Sequence, residues 1–151
     1  MQNAQDICIL IPTLDEEETI GGIIREFKSE GFENIVVIDG NSEDSTREIA
    51  KREGARVEVQ RGKGKGTAVK QAFELIDDEI IVMIDGDGTY SPSEAGKLLA
   101  PIINGEAEHV IGNRFAYGGA FAKLHRIGNR VLNKIFGFGY GVRLNDILSG
   151  Y

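Results

Sequence analysis

The sequence is poor in cysteine and histidine and has no long apolar run. Its only cysteine, Cys8, lies inside an apolar stretch. An intrachain disulfide is therefore excluded, and a buried structural thiol in a reducing, cytoplasmic compartment is the expectation. No apolar run approaches the roughly 20 residues of a membrane-spanning helix, and no signal-peptide pattern is visible. No internal repeat or low-complexity linker breaks the chain. The glycine fingerprint of dinucleotide binding is missing after the first apolar run, where Ile11-Pro12-Thr13-Leu14 stands instead. The spacing of Gly62 to Thr67 does not fit a P-loop.

What is present describes one domain over residues 1–151. The hydrophobic share is 41% and the charged share 27%, ordinary proportions for a chain able to bury one core. The net charge of −7 is unevenly spread. Residues 1–113 carry 11 basic and 23 acidic side chains, whereas residues 114–151 carry six basic and one acidic. An acidic body argues against general nucleic-acid binding, and the basic end suits an anionic ligand or surface.

Apolar runs alternate with amphipathic stretches. The runs Ile7–Ile11, Ile35–Ile38, Val57–Val59, Ile80–Ile84 and His109–Ile111 read as strands. Helices are expected near 16–30, 45–53, 66–77 and 92–104, the first with Ile20, Ile23, Ile24 and Phe27 on one face. Thr13 with Glu16, Ser45 with Glu48, and Ser91-Pro92 with Glu94 have the spacing of helix start signals. Such alternation predicts an α/β fold: a mostly parallel sheet with helices on both faces.

Chemistry on such a sheet lies at the carboxyl ends of the strands. The run Ile80–Ile84 stops at Asp85-Gly86-Asp87. Residues i and i+2 of a strand point the same way, so both carboxylates project together. Like charges that close repel unless a cation bridges them, which points to a divalent metal holding a phosphate. Asp39 ends another apolar strand and is placed to accept hydrogen bonds from a base or ribose. Arg61-Gly62-Lys63-Gly64-Lys65-Gly66-Thr67 offers backbone N–H groups and ammonium charge at a helix start, a phosphate cradle. Asp85-Gly86-Asp87-Gly88-Thr89 also resembles the nucleophile motif of haloacid-dehalogenase-type phosphatases. That family carries it on the first strand, whereas here three strands precede it.

Taken in order, Ile-Pro-Thr-Leu-Asp-Glu-Glu from Ile11, Val-Ile-Asp-Gly-Asn-Ser from Val37, Gly-Lys-Gly-Thr-Ala from Gly64 and Met-Ile-Asp-Gly-Asp-Gly-Thr-Tyr-Ser-Pro from Met83 resemble the inverting family 2 glycosyltransferases of GT-A fold. Within them the chain is similar to polyprenyl-phosphate (dolichyl-phosphate) sugar synthases, above all archaeal enzymes of N-glycan assembly. Val110–Phe115 and Asp146–Tyr151 match that group. The resemblance implies that Pro12, Leu14, Glu16 and Asp39 hold base and ribose and that Lys65 lies near the nucleotide. It implies that Asp85 and Asp87 bind the donor diphosphate through Mg²⁺ or Mn²⁺, with Gly86 between them, where many relatives carry alanine. That difference removes only a methyl, so no effect on the metal is expected. Arg114 and Arg126 would meet the acceptor phosphate. Sugar-1-phosphate nucleotidyltransferases share the fold type, but their glycine-rich loop with arginine after the first strand is missing.

The implied partners are a nucleoside-diphosphate sugar, UDP-hexose rather than GDP-mannose, and polyprenyl phosphate. A phosphate monoester is largely a dianion at neutral pH, so it can attack without a strong base, and the scarcity of histidine is no obstacle. Residues 121–136 carry Lys123, Arg126, Arg130 and Lys134 on one face of an amphipathic helix, which suits either an anionic membrane surface or a solvated flank. Attachment at the inner face of the cell membrane is the matching expectation. The family pattern continues beyond Ser149-Gly150-Tyr151, so a catalytic domain cut short at its C-terminus is expected. A glycan or small-metabolite acceptor, or a nucleotide-sugar-binding fragment without turnover, stays open.

Overall fold

The computed structural model describes residues 6–112. Four parallel strands lie in the order β3-β2-β1-β4. They are β1 (Ile7–Thr13), β2 (Ile35–Asp39), β3 (Arg56–Val59) and β4 (Ile80–Met83). The connecting helices are α1 (Ile20–Ser29), α2 (Thr46–Arg52) and α3 (Lys65–Leu75), and α4 (Ala95–Ile103) follows a short 3₁₀ turn, Pro92–Glu94. All three strand pairings are parallel.

The two-residue period of the strands sorts the core into two layers. Ile7, Ile9, Ile11, Ile35, Val37 and Val82 face α1, α2 and α4, and enclose Ile20, Ile24, Phe27 and Leu99. Cys8, Leu10, Val36 and Ile38 face the other way, against Ala68 and Ala72 of α3. Helices thus cover both faces, as the alternation predicts. Burial pushes the Cys8 thiol up to about 12, so it is an inert core group. The α1 face is buried as its spacing requires, and Phe27 meets Phe32 edge to face at 5.9 Å. Gly21 lets α1 approach α2, since a Cβ there would stand 2.9 Å from Ile49 Cγ2.

Three local expectations change. Thr13 is the last residue of β1, and α1 starts at Ile20 behind Thr19, so Thr13 and Glu16 form no capping box. Neither Ser45 nor Ser91 caps its helix through the side chain. Ser91 Oγ instead donates to Glu26 Oε1 at 3.0 Å, because a long-range carboxylate outcompetes the local amide. Residues 109–111 are not a strand, for the sheet ends at β4 among the described residues and gives that stretch no pairing partner. The basic segment 121–136 lies outside the described residues.

Phe27 fills the centre of the larger layer at 0% exposure. Phe27→Ala should cost about 3–5 kcal/mol of unfolding free energy in urea titration. A loss below about 1 kcal/mol would mean that this layer is not the stabilising core.

Candidate functional site

Parallel register sets the site's base. Thr13 pairs with Asp39, and Leu10 with Met83, so three strands end along one edge. The loops beyond them are laced together. Asp15 N–H donates to Ser42 Oγ at 2.9 Å, Glu16 N–H to Thr46 Oγ1 at 2.8 Å and Glu17 N–H to Asp44 Oδ2 at 3.1 Å. In return, Glu43 N–H donates to Asp15 Oδ1 at 2.8 Å and Ser45 N–H to Glu17 Oε2 at 2.9 Å. At the bends, Asp15 and Asn41 take left-handed φ values of 54° and 69°, which Asp and Asn tolerate better than most residues.

Asp39 anchors this lacing. It is fully buried, and its carboxylate accepts from Ser42 N–H at 3.0 Å and from Ser42 Oγ–H at 2.5 Å. Arg47 Nε lies 3.5 Å from Asp39 Oδ1. The residue expected to reach a base or ribose here holds the β2 loop and does not line the cavity.

That cavity, of about 740 Å³, opens where the loops meet. Pro12, Leu14 and Glu16 line one wall, with Leu14 57% exposed. Asn41, Gln60 and the stretch Gly62–Lys65 line another, and Asp85 and Asp87 complete it. Gly62 and Gly64 have φ of 90° and 88°, a bend that other residues resist. Gln60 Nε2 donates to Gly64 O at 2.8 Å, and Arg61 N–H to Gln71 Oε1 at 2.6 Å. No motif in the sequence singles out these buried glutamines. Their only signal there is an amide side chain at a strand end and another on the inner face of a helix.

β4 stops at Met83, so Asp85 and Asp87 leave a turn rather than a strand. Both still line the cavity, because Thr89 N–H donates to Asp87 Oδ1 at 2.9 Å and folds the chain back. Lys65 Nζ pairs with Asp85 Oδ1. Gly86 O accepts from Thr19 Oγ1 at 2.6 Å. A methyl at Gly86 would overlap Glu16 Oε2 and stand 2.9 Å from Thr13 Cγ2. With alanine there, the end of the flexible Glu16 side chain would have to shift; with glycine, the Glu16 carboxyl occupies that space.

Glu16 Oε2 is buried without a hydrogen-bond partner, as is Thr13 Oγ1. Burial, then the Asp87 and Asp85 charges, raise the Glu16 pKa from 4.5 to about 7. Among the described residues no three acidic, histidine or cysteine side chains are arranged to enclose a metal. Two carboxylates nonetheless suit Mg²⁺ or Mn²⁺, which is commonly held by one or two carboxylates plus substrate phosphates. One of the two, Asp85, is already paired with an ammonium. Six predicted residues, Pro12, Leu14, Glu16, Lys65, Asp85 and Asp87, thus meet at one cavity. Arg114 and Arg126 lie outside the described residues.

Two outcomes follow from this geometry. Asp39→Ala strands the Ser42 N–H and one face of Arg47, and should cost about 2–3 kcal/mol in chemical denaturation. A cost below about 0.5 kcal/mol would make Asp39 a group held ready for a ligand. Glu16 binds its proton more tightly when folded than when unfolded. The stability this confers is full below the unfolded pKa and lost as pH rises through about 7. In metal-free buffer, melting temperatures should fall between roughly pH 5 and pH 8, and Glu16→Gln should flatten that fall. Matching pH profiles for parent and variant would refute a buried, proton-binding Glu16.

Residues 8–150 match glycosyl transferase family 2. Glycosyltransferase AglJ of Haloferax volcanii is 49% identical over 154 residues, which cover 100% of this chain and 50% of that protein. The chain thus spans about half the length of this relative. The dolichyl-phosphate hexose transferase of the same organism is 32% identical over 96% of this chain and 64% of its own length. Among solved structures, glucosyl-3-phosphoglycerate synthase from Mycobacterium tuberculosis, in complex with Mn²⁺ and UDP-glucose, superposes with a TM-score of 0.71. It is 27% identical over 95% of this chain and 54% of its own. The parallel sheet covered on both faces is a GT-A-like fold, and the chain belongs to glycosyl transferase family 2.

Proposed function

We propose that the cavity binds a nucleoside-diphosphate sugar, a UDP-hexose in preference to GDP-mannose, and that the sugar passes with inversion to polyprenyl (dolichyl) phosphate. The carrying observation is the meeting of Asp85, Asp87, Lys65 and the glycine-lysine loop in one cavity at the strand ends. The Mn²⁺ and UDP-glucose of the solved relative support the donor, and the dolichyl-phosphate hexose transferase supports the acceptor.

The chain's own groups divide the work. Pro12 and the exposed Leu14 offer an apolar wall to a base, and Asn41 and Gln60 offer amides to its polar edge. Lys65 and the start of α3 present positive charge to the diphosphate. Asp85 and Asp87 would hold Mg²⁺ or Mn²⁺, which supplies charge neutralisation for the leaving diphosphate. The acceptor is a phosphate dianion, so its oxygen forms the new bond to the anomeric carbon as the bond to the donor diphosphate breaks. No proton has to be removed first. Arg114 and Arg126 are the proposed acceptor-phosphate groups, by the paired donors of a guanidinium. A lipid acceptor would bring the protein to the inner face of the cell membrane. Among the described residues no helix is long and apolar enough to cross a membrane.

A small phosphorylated acceptor is the second reading, favoured by the likeness to glucosyl-3-phosphoglycerate synthase. Radiolabelled UDP-hexoses and GDP-mannose, incubated with the protein, Mn²⁺ and dolichyl phosphate, distinguish the two. Label in the organic phase supports the lipid acceptor. A water-soluble labelled product distinct from the donor, formed when 3-phosphoglycerate replaces the lipid and with no label reaching the organic phase when lipid is supplied, supports the second reading.

Donor binding is separately testable by calorimetry with UDP. Asp87→Asn, or excess EDTA, should weaken UDP by about tenfold or more while the melting temperature changes little. Equal UDP affinity with and without EDTA would remove the metal from the account.

A further inference from the structure

We infer that Lys65 is the site's internal counter-ion, holding Asp85 until an arriving diphosphate draws it away, so that metal and nucleotide bind together and not metal first. The inference rests on the metal-binding reading of Asp85 and Asp87 given above, and adds an order and a coupling to it.

Glu16, Asp85 and Asp87 crowd one corner of the cavity. Among the described residues, Lys65 is the only side chain in ion-pair contact with either aspartate. The pair is poised to open: Lys65 is 47% exposed and Asp85 27%. The ammonium also hangs on a flexible four-carbon stem at the first residue of α3. A divalent cation and an ammonium cannot share one carboxylate face, because two cations a few ångströms apart repel strongly in a partly buried site. Metal entering alone must therefore break the Lys65–Asp85 pair. A diphosphate in the same cavity offers Lys65 a replacement partner, since Lys65 lines that cavity. Nucleotide then raises metal affinity by releasing Asp85, beyond what direct coordination contributes. By linkage, metal raises nucleotide affinity by the same factor.

Lys70 provides the control. It is exposed on the same helix, outside the cavity lining, and among the described residues it makes no ion pair. Mn²⁺ binding without nucleotide can be followed by the electron paramagnetic resonance signal of the free ion, on the parent, Lys65→Met and Lys70→Met, and then repeated with UDP after subtracting the Mn²⁺ that UDP alone holds. Lys65→Met should bind Mn²⁺ alone about threefold tighter or more than the parent. Lys70→Met should differ from the parent by less than about twofold. The gain in Mn²⁺ affinity on adding UDP should be smaller in Lys65→Met than in the parent. The inference is overturned if Lys65→Met binds Mn²⁺ no tighter, or if Lys70→Met tightens it equally, which would reduce the effect to bulk charge. A parent that binds no Mn²⁺ even with UDP overturns the metal reading itself, a result distinguishable from the other two.

Discussion

Three carboxylates gathered beside one cavity repel one another, and much of the site is organised around containing that repulsion. Parallel pairing of β1 with β4 forces the crowding, because it ends β1, just before the Glu16 loop, and β4, just before the Asp85 turn, at the same edge. Each carboxylate is then managed differently. Asp85 takes an ammonium, Asp87 is held by the Thr89 amide, and Glu16 is tucked into the space above Gly86 where protonation is favoured. A site so arranged presents a concentrated negative field to any cation, and a cation placed there presents positive charge to a diphosphate.

The opposite wall depends on the lacing of the first two loops. Seven hydrogen bonds, two of them from Ser42 to the buried Asp39, fix Pro12 and Leu14 relative to Asn41. Among the described residues, both left-handed non-glycine residues lie in these loops. Backbone strain of this kind persists where surrounding contacts over-determine it, a common property of binding sites. That wall is thus held by many contacts before any ligand arrives, whereas the Lys65–Asp85 side rests on one partly exposed ion pair.

Much of this was legible in the residues. Alternating apolar runs named four strands and both layers of the core, because burial on a covered parallel sheet leaves a strong pattern. Four loop motifs located the site, and six of the predicted residues meet there. The rest turned on partners distant in sequence. Thr13 and Glu16 have capping-box spacing, but strand pairing claimed Thr13. Asp39 reads as a strand-end carboxylate able to accept hydrogen bonds from a base or ribose, and that Ser42 and Arg47 fold over it is visible only in the structure. That the Glu16 carboxyl fills the space beside Gly86 is likewise visible only in the fold. Gln60 and Gln71 carry no motif, and their role exists only once the glycine-lysine loop folds back on β3.

The central claim is that Asp85 and Asp87 jointly receive a divalent metal together with a nucleoside diphosphate. An anomalous-difference map from crystals soaked with Mn²⁺ and UDP tests it most directly. The predicted result is one strong peak between the two carboxylates and the diphosphate, with Lys65 turned from Asp85 to a phosphate oxygen. UDP bound in the cavity with no anomalous peak there, or with the peak elsewhere on the protein, would contradict the account.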